Sequence, residues 1–405
     1  MRVCMVAYTF YESDNRVRRY AETLVKAGNE VDAIVLRRQG QKAYEIIEGV
    51  QVLRIQKRVK NEKTPLTYLK RLLTFFLLST WALTRRHLKA RYDIIHVHSV
   101  PDFQVFSTLI PRLMGAKIIL DIHDIVPELY ASKFKVSHGS LVFRLLLLVE
   151  KLSVTYSDHV IIANHLWHER LVRRSGCPER CSTILNYPDP AIFHWRPRTD
   201  AANRWFVMCY PGTLSSHQGV DLVISAMAQL RDRAPNLKFL ILGDGAERDP
   251  LLAMAGQHGL GDRVTITGGV PIEKVAEIMA NVDLGVEPKR KRSFANEALS
   301  TKILEFMAMG VPVLASDTRV HELYFKDLIQ FFESENVDDM ATKILELMHD
   351  SARRDSLRAR GMSFVQQNNW DVRKNEYLDL VNRLVERRVN QPAQSGGATK
   401  PSLQM

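Results

Sequence analysis

The sequence predicts an α/β protein built from two doubly wound units, each a parallel sheet wrapped by helices on both faces. Three observations predict it. Short apolar runs alternate with helical patterns, the rhythm a parallel sheet needs because each strand returns through a crossover. The pattern breaks at a polar, Pro-containing stretch, residues 194–204, and then starts again. A chain of 405 residues also exceeds what one ordinary core organises, so two domains are expected.

The elements follow in order. "RVCMVAYTF" reads as a strand and "RVRRYAETLVKAGNE" as an amphipathic helix stopped by Gly28. "VDAIVL", "VQVLRIQ", "YDIIHVHS" and "AKIILDIHD" read as strands, the last after a helical stretch near 103–114. A long helix around 140–156 precedes two more strands, "HVIIAN" and "CSTILN". In the second half "WFVMCYPG" is a strand, "GVDLVISAMAQLRDRA" a helix, and "LKFLILGDG" and "RVTITGG" are strands. "PIEKVAEIMANV" is a helix and "DLGVEP" a strand, followed by a short apolar helix and the buried-looking strand "VPVLAS". The expected divisions are 1–195, 205–365, a closing helix over 366–388 and a Gly-, Ser-, Pro- and Gln-rich disordered tail over 389–405.

With 46% hydrophobic and 25% charged residues the composition is that of a soluble globular protein. Cys4, Cys177, Cys181 and Cys209 form neither a metal-ligand spacing nor a disulfide pattern, and reduced thiols are expected. "MRVCMVAYTF" runs straight into a strand without a small-residue cleavage site, so no secretory signal is expected. The formal charge of +11 is concentrated: residues 57–92 hold ten Lys or Arg and a single Glu around an apolar centre at 72–83. That centre is shorter than the roughly 20 residues that span a bilayer. A basic-flanked apolar helix suits the interface of an anionic membrane, and a core-packed helix with solvated ends is an equal alternative. Nucleic acid is disfavoured, because the charges interleave with aliphatics rather than stacking aromatics and no binding motif is present.

In open parallel sheets ligands bind beyond the carboxyl ends of strands, so the loops there carry the candidates. The first half offers "YTFYESDNR" with Asp14 and Arg16, His96 and His98, "DIHDIVPE" with Asp121, His123, Asp124 and Glu128, and Asn164. His123, between two aspartates at the end of a buried-looking strand, is the favoured catalytic candidate because its charge state and tautomer can be set there. His96 and His98 are read as pointing in opposite directions, so at most one is expected at a site. The second half offers "YPGTLSSHQG" with Gly212 and Thr213, "GDG" from Gly243, and "EPKRKRS" from Glu287 to Ser293 with its basic run Lys289, Arg290, Lys291 and Arg292.

The stretch at 296–313, "NEALSTKILEFMAMGVPV", poses the sharpest question. Ser300 is the expected N-cap and Gly310 the stop of a helix with few charges. A helix apolar on every side is packed inside, and a carboxylate within it costs several kcal/mol unless matched. Glu297 at the start and Glu305 in the middle therefore call for partners. The helix N-terminus and Lys302 suit a phosphorylated ligand. Neither a Gly-x-Gly-x-x-Gly fingerprint nor a P-loop lysine motif occurs, which disfavours a standard dinucleotide or P-loop site.

Taken in order, these segments resemble the E-x7-E region and neighbouring motifs of retaining glycosyltransferases of the GT-B fold, with the closest likeness to the GT4 family of bacterial polysaccharide and glycolipid synthesis. The likeness runs along nearly the whole chain, through "SDNRVRRYAETLVKAGNEV", "DIIHVHS", "LDIHDIVPE", "ILNYPD", "YPGTLSSHQGVDLVISAM", "LGDG" and the closing "W…EYL" helix. It implies two Rossmann-like domains facing a central cleft, with the C-terminal helix returning to the first. It implies a nucleotide-sugar as co-substrate, no cofactor and no metal, in keeping with the lack of an Asp-x-Asp triplet. Glu305 would accept ribose hydroxyls and Glu297 would meet the donor sugar. Amides of Ala298, Leu299, Ser300 and Thr301 would cradle the diphosphate, with Gly212, Thr213, Gly243, Lys289 and Lys302 around it. His123 would lie near the anomeric carbon, and Asp14, Arg16 and His98 on the acceptor side. Many relatives carry an Arg and a Lys where this chain has Thr213 and Gln218; Lys289, Lys302, the helix end and Arg16 are the expected substitutes.

The resemblance implies retaining transfer of a hexosyl or N-acetylhexosaminyl group from a nucleotide-sugar, UDP being the expected nucleotide, to a hydroxyl. A lipid-linked saccharide of cell-surface polysaccharide synthesis is the expected acceptor. The expected location is cytoplasmic and peripheral, on the inner face of the cytoplasmic membrane through residues 57–92. The alternatives are a nucleotide-sugar epimerase or phosphorylase on the same scaffold, and a non-catalytic sugar-nucleotide-binding subunit.

Overall fold

A computed structural model describes residues 1–58, 65–134, 136–199, 205–291 and 293–389. The first sheet holds β1 (Arg2–Ala7), β2 (Glu30–Arg37), β3 (Tyr44–Ile47), β4 (Val50–Lys57), β5 (Ile94–His98), β6 (Lys117–Ile122), β7 (His159–Ile162) and β8 (Cys181–Thr183), in the order β3-β4-β2-β1-β5-β6-β7-β8. The second holds β9 (Phe206–Pro211), β10 (Leu237–Leu242), β11 (Val264–Ile266), β12 (Leu284–Glu287), β13 (Val313–Ser316) and β14 (Gln330–Phe332), in the order β11-β10-β9-β12-β13-β14. β1 pairs in parallel with β2 and β5, and β9 with β10 and β12. Each chain path steps outward on one side of its founding strand and then crosses to the other. That places a switch point between β1 and β5 and another between β9 and β12.

The strands are apolar on both faces because both faces are covered. In β9, Met208 and Tyr210 join one apolar cluster while Cys209 joins the other. By contacts the described residues form two compact units, those of Met1–Asp121 with Ser153–Val160 and Asn375–Val389, and those of Ile122–Leu152 with Ile161–Lys374.

Several expected elements are redrawn. β3, unforeseen, is an antiparallel edge strand on β4. The stretch near 103–114 is a 3-10 segment, Asp102–Thr108, running into a short helix, Leu109–Leu113. The closing helix is Trp370–Val389; the preceding helix, Ser351–Gln367, has Asn368 as its C-cap, and Asn369 Oδ1 accepts the Val372 amide at 3.1 Å. The tail from 390 and residues 200–204 of the junction lie outside the described residues.

The basic, apolar segment forms one helix, Pro65–Lys89, and residues 59–64 lie outside the described residues. Leu72, Phe75, Ser79, Ala82, Leu83 and His87 are buried on one side. Leu69, Leu73, Leu77, Trp81 and Leu88 form an exposed apolar stripe, 44–66% accessible. No helix among the described residues is long and apolar enough to cross a membrane.

Candidate functional site

β12 ends at the switch point of the second sheet in Glu287, fully buried. Its carboxylate lies 3.2 Å from the Lys302 ammonium, on the helix Thr301–Ala308, and 3.7 Å from that of Lys289. The Lys302 ammonium also sits over the Tyr210 ring, 5.3 Å from its centroid, and Lys289 donates to the Ala298 carbonyl at 3.0 Å. Burial alone would raise the Glu287 carboxyl, but Lys302 and then Lys289 hold it below its ordinary value. Burial pulls Lys289 down to about 8 against the attraction of Glu287. Burial works the same way on Lys302, yet Glu287 and Tyr210 keep it above its ordinary value. One buried anion thus lies within 4 Å of two cations, with Asp124 acting on Lys289 and Glu305 on Lys302 as well.

The predicted residues sort themselves around this trio. Ser300 stands at the helix N-cap as expected, yet its buried hydroxyl makes no cap bond to the first-turn amides. The expectation of a helix apolar on every side is corrected. Ile303, Leu304, Phe306 and Met307 are buried, while Thr301, Lys302, Glu305 and Ala308 form a partly exposed strip. Glu305 is therefore half-buried, and the sealed carboxylate is Glu287. Ala298 and Leu299 are also half-buried.

A Cβ on Gly243 would come within 1.8 Å of the Gly212 carbonyl oxygen, so glycine is needed where these two loops pass backbone against backbone. Thr213 is exposed, its carbonyl accepting the Tyr210 hydroxyl at 3.2 Å. In the basic run, Arg290 pairs with Asp221 at 2.5 Å and Lys291 with Asp317 at 2.9 Å. Lys289 alone of those three turns inward; Arg292 lies outside the described residues.

Glu297 is buried and already engaged. Arg170 donates to it at 2.6 Å and Arg319 at 3.1 Å, and the Asn164 amide donates to its backbone carbonyl at 3.0 Å. Arg170 lies 3.2 Å from Glu128, which also pairs with Arg174, itself 3.3 Å from Glu150. Charges therefore alternate from Arg319 through Glu297, Arg170, Glu128 and Arg174 to Glu150. Asn164 serves twice, capping the helix His165–Ser175 through Trp167 N at 2.9 Å. His123 and Asp124 are half-buried beyond β6; burial raises the Asp124 carboxyl, with His123 and Lys289 opposing it.

In the first unit Asp121 is sealed from solvent and takes a two-point bond from the equally buried Arg16, Nε at 2.8 Å and Nη2 at 2.7 Å. His98 Nδ1 lies 3.2 Å and His96 Nε2 3.8 Å from Asp121, and His96 Nδ1 meets the Tyr377 hydroxyl at 2.9 Å. The two imidazoles stack with centroids 4.2 Å apart. This overturns the expectation that they point apart, because residues two apart on a strand share a face. Asp14 caps the helix Asn15–Lys26, accepting from Val17 N at 3.1 Å. Ligand atoms of His96, His98 and Asp121 lie within 4.8 Å of one another, a spacing a metal ion could use, but a cation there would compete with the Arg16 guanidinium already on Asp121.

Residues 13–186 match the family described as Glycosyl transferase 4-like domain, and residues 193–363 match Glycosyl transferases group 1. The chain belongs to the GT4-type glycosyltransferases. This GT4-type chain is 25% identical over 266 residues to the phosphatidylinositol N-acetylglucosaminyltransferase gpi3 subunit of Schizosaccharomyces pombe, covering 65% of the chain and 55% of that protein. It is 27% identical over 256 residues to alpha-D-kanosaminyltransferase of Streptomyces kanamyceticus, covering 58% and 63%. It is 28% identical over 200 residues to a GDP-mannose-dependent alpha-(1-6)-phosphatidylinositol monomannoside mannosyltransferase of Mycobacterium tuberculosis, covering 48% and 52%. The chain thus spans between half and two thirds of these relatives' length.

Sucrose-phosphate synthase from Thermosynechococcus elongatus superposes with a TM-score of 0.77 at 20% identity, over 96% of this chain and all of that one. Anabaena HepE in complex with UDP and glucose superposes at 0.71 and 15% identity, over 95% and 100%. These likenesses establish the GT-B fold expected from the sequence. In this GT4-type chain Glu287, Lys289, Glu297, Lys302 and Glu305 fall in the group 1 segment, and Asp14, Arg16, His98, Asp121, His123 and Arg170 in the other.

Glu287 opens the loop "EPKRKRS" that the sequence offered as a candidate, but no role was read for it there, although a carboxylate closing a buried strand was visible in "DLGVEP". Nothing in the sequence pointed to Arg170 or Arg319 as partners of Glu297, since the first lies 127 residues away.

Proposed function

We propose that the chain transfers a sugar, with retention, from a nucleotide-sugar to an acceptor hydroxyl, with UDP as the expected nucleotide. The observation that carries this reading is the cluster of buried Glu287 and Lys289 with partly exposed Lys302, which sets two cations against one close anion at a sheet switch point beside a helix start with no side-chain cap. A diphosphate is the ligand that such a place suits. Lys289 and Lys302, with amides of Ala298, Leu299, Ser300 and Thr301, offset its charge in place of the Arg and Lys absent at Thr213 and Gln218. Gly212, Thr213 and Gly243 shape the opposing loops. Glu305, on the open strip of its helix, takes the ribose hydroxyls.

In retention without a protein nucleophile, the leaving diphosphate accepts the proton of the incoming hydroxyl on the same face. The protein then contributes positioning and electrostatics. Glu297, oriented by Arg170 and Arg319, receives donor-sugar hydroxyls, and His123 lies toward the anomeric carbon. Asp14, Arg16 and His98 shape the acceptor side, the buried Arg16–Asp121 pair fixing that loop. No step is assigned to a metal or cofactor.

The acceptor we favour is a lipid-linked saccharide of cell-surface polysaccharide synthesis, met on the cytoplasmic side of an anionic membrane. The exposed stripe of Leu69, Leu73, Leu77, Trp81 and Leu88, beside exposed Lys70, Arg85 and Lys89, supports this. Arg86 is excluded from that surface role because it pairs with buried Asp32 at 2.9 Å. Two relatives named above act, by their names, on phosphatidylinositol-based acceptors, which supports a lipid acceptor here.

The test is calorimetry with UDP, GDP and ADP, followed by mass spectrometry of products from the matching nucleotide-sugars and extracted lipid-linked saccharides. One nucleotide should bind, and Lys289→Ala and Lys302→Ala should each weaken it about tenfold, roughly 1.4 kcal/mol. Binding by none of the three, or no loss in either variant, refutes the reading.

A further inference from the structure

Lys289 and Lys302 reach the switch point from different elements, the loop after β12 and the helix Thr301–Ala308. Two ammoniums brought together out of water repel each other and favour loss of a proton. What lies between them is Glu287, at 3.7 Å from one and 3.2 Å from the other, with both oxygens buried. A carboxylate beside a diphosphate would by itself repel the ligand, so its presence needs a reason.

We propose that Glu287 is the positioning residue of the diphosphate site, a built-in counter-ion that keeps Lys289 and Lys302 together and charged until the diphosphate takes its place as their partner. This rests on the nucleotide-sugar reading above and deepens it. The charged and titratable groups acting on Lys289 are Glu287, Lys302, Asp124, His217 and His321. Burial lowers both histidines, His321 to about 4, so they stay neutral in the window that matters.

Lys289, at about 8, is the group that titrates there. A diphosphate favours its charged form, so the pKa rises on binding. Affinity is therefore complete below about 8 and is lost as pH climbs through that value. Removing Glu287 has two opposite effects. Lys289 loses its attraction and titrates at lower pH, while below that pH the ligand loses a repelling neighbour. A residue that merely packs the site would lower affinity equally at every pH.

The experiment is calorimetric binding of UDP, GDP and ADP to the full-length protein between pH 6.5 and 9.5. In the unaltered protein, affinity should fall by up to about tenfold per pH unit above the midpoint. In Glu287→Gln the midpoint should drop by a full unit or more, with affinity at pH 6.5 equal to or above that of the unaltered protein, and Glu287→Asp should restore it. Lys289→Ala, which leaves Glu287 with Lys302, should abolish the step and decides the matter should Glu287→Gln not fold. A parallel loss at all pH values in Glu287→Gln, or a step surviving in Lys289→Ala, overturns this inference alone. Failure of all three nucleotides to bind at any pH overturns the function and the inference together.

Discussion

Arg16 was expected on the acceptor side, yet its guanidinium is spent on Asp121, and the strength of that pair can be measured. Asp121 is fully buried and Arg16 is 3% accessible. Asp121→Asn leaves a guanidinium in the interior without its carboxylate, a change that costs about 3–5 kcal/mol when a buried pair is broken from one side. Arg16→Met strands the carboxylate instead, beside His98 at 3.2 Å and His96 at 3.8 Å, and should cost a similar amount. Replacing both by Arg16→Met with Asp121→Leu removes the uncompensated charge, and the double variant should be less destabilised than either single one. The coupling should reach about 3 kcal/mol. Hydrogen exchange of the β1 and β5 amides reads the first unit directly, which matters because a chain of two compact units need not unfold in one step. Single costs under about 1 kcal/mol, or an additive cycle, would refute the view that this pair holds the strand ends of the first sheet together.

The loops facing one another in the second unit give a second test. Gly243→Ala would set a Cβ 1.8 Å from the Gly212 carbonyl, a collision of backbone with side chain that no rotamer relieves. It should cost at least about 1–3 kcal/mol in thermal unfolding and lower nucleotide affinity, and an unchanged melting curve would contradict it. At the exposed stripe, Leu77→Gln with Trp81→Gln should cut binding to vesicles containing anionic lipid several-fold while leaving the melting temperature in place. Unchanged flotation with vesicles would remove the membrane assignment.

Some of the site was legible because it is local. Strand ends are marked by where an apolar run meets polar residues, so loops 8–16, 121–128, 210–219 and 287–302 could be named before any tertiary contact was known. The short helix with Ser300 at its start and Gly310 after it was equally local. Two local readings failed. Glu305 was read as sealed, because the count of charges on the helix was low, but Thr301, Lys302 and Ala308 open the same side. His96 and His98 were read as diverging although a strand repeats every two residues.

The sequence by itself determined two doubly wound sheets, parallel apart from the unforeseen edge strand β3, and the loops that carry chemistry, since periodicity and chain breaks act over a few residues at a time. The tertiary structure alone decided which charges meet. It set Lys289 and Lys302 on Glu287, Arg170 and Arg319 on Glu297, and Arg16 on Asp121 across 105 residues of chain. Electrostatic attraction depends on distance through space and on exclusion of water, and neither quantity is written along the chain.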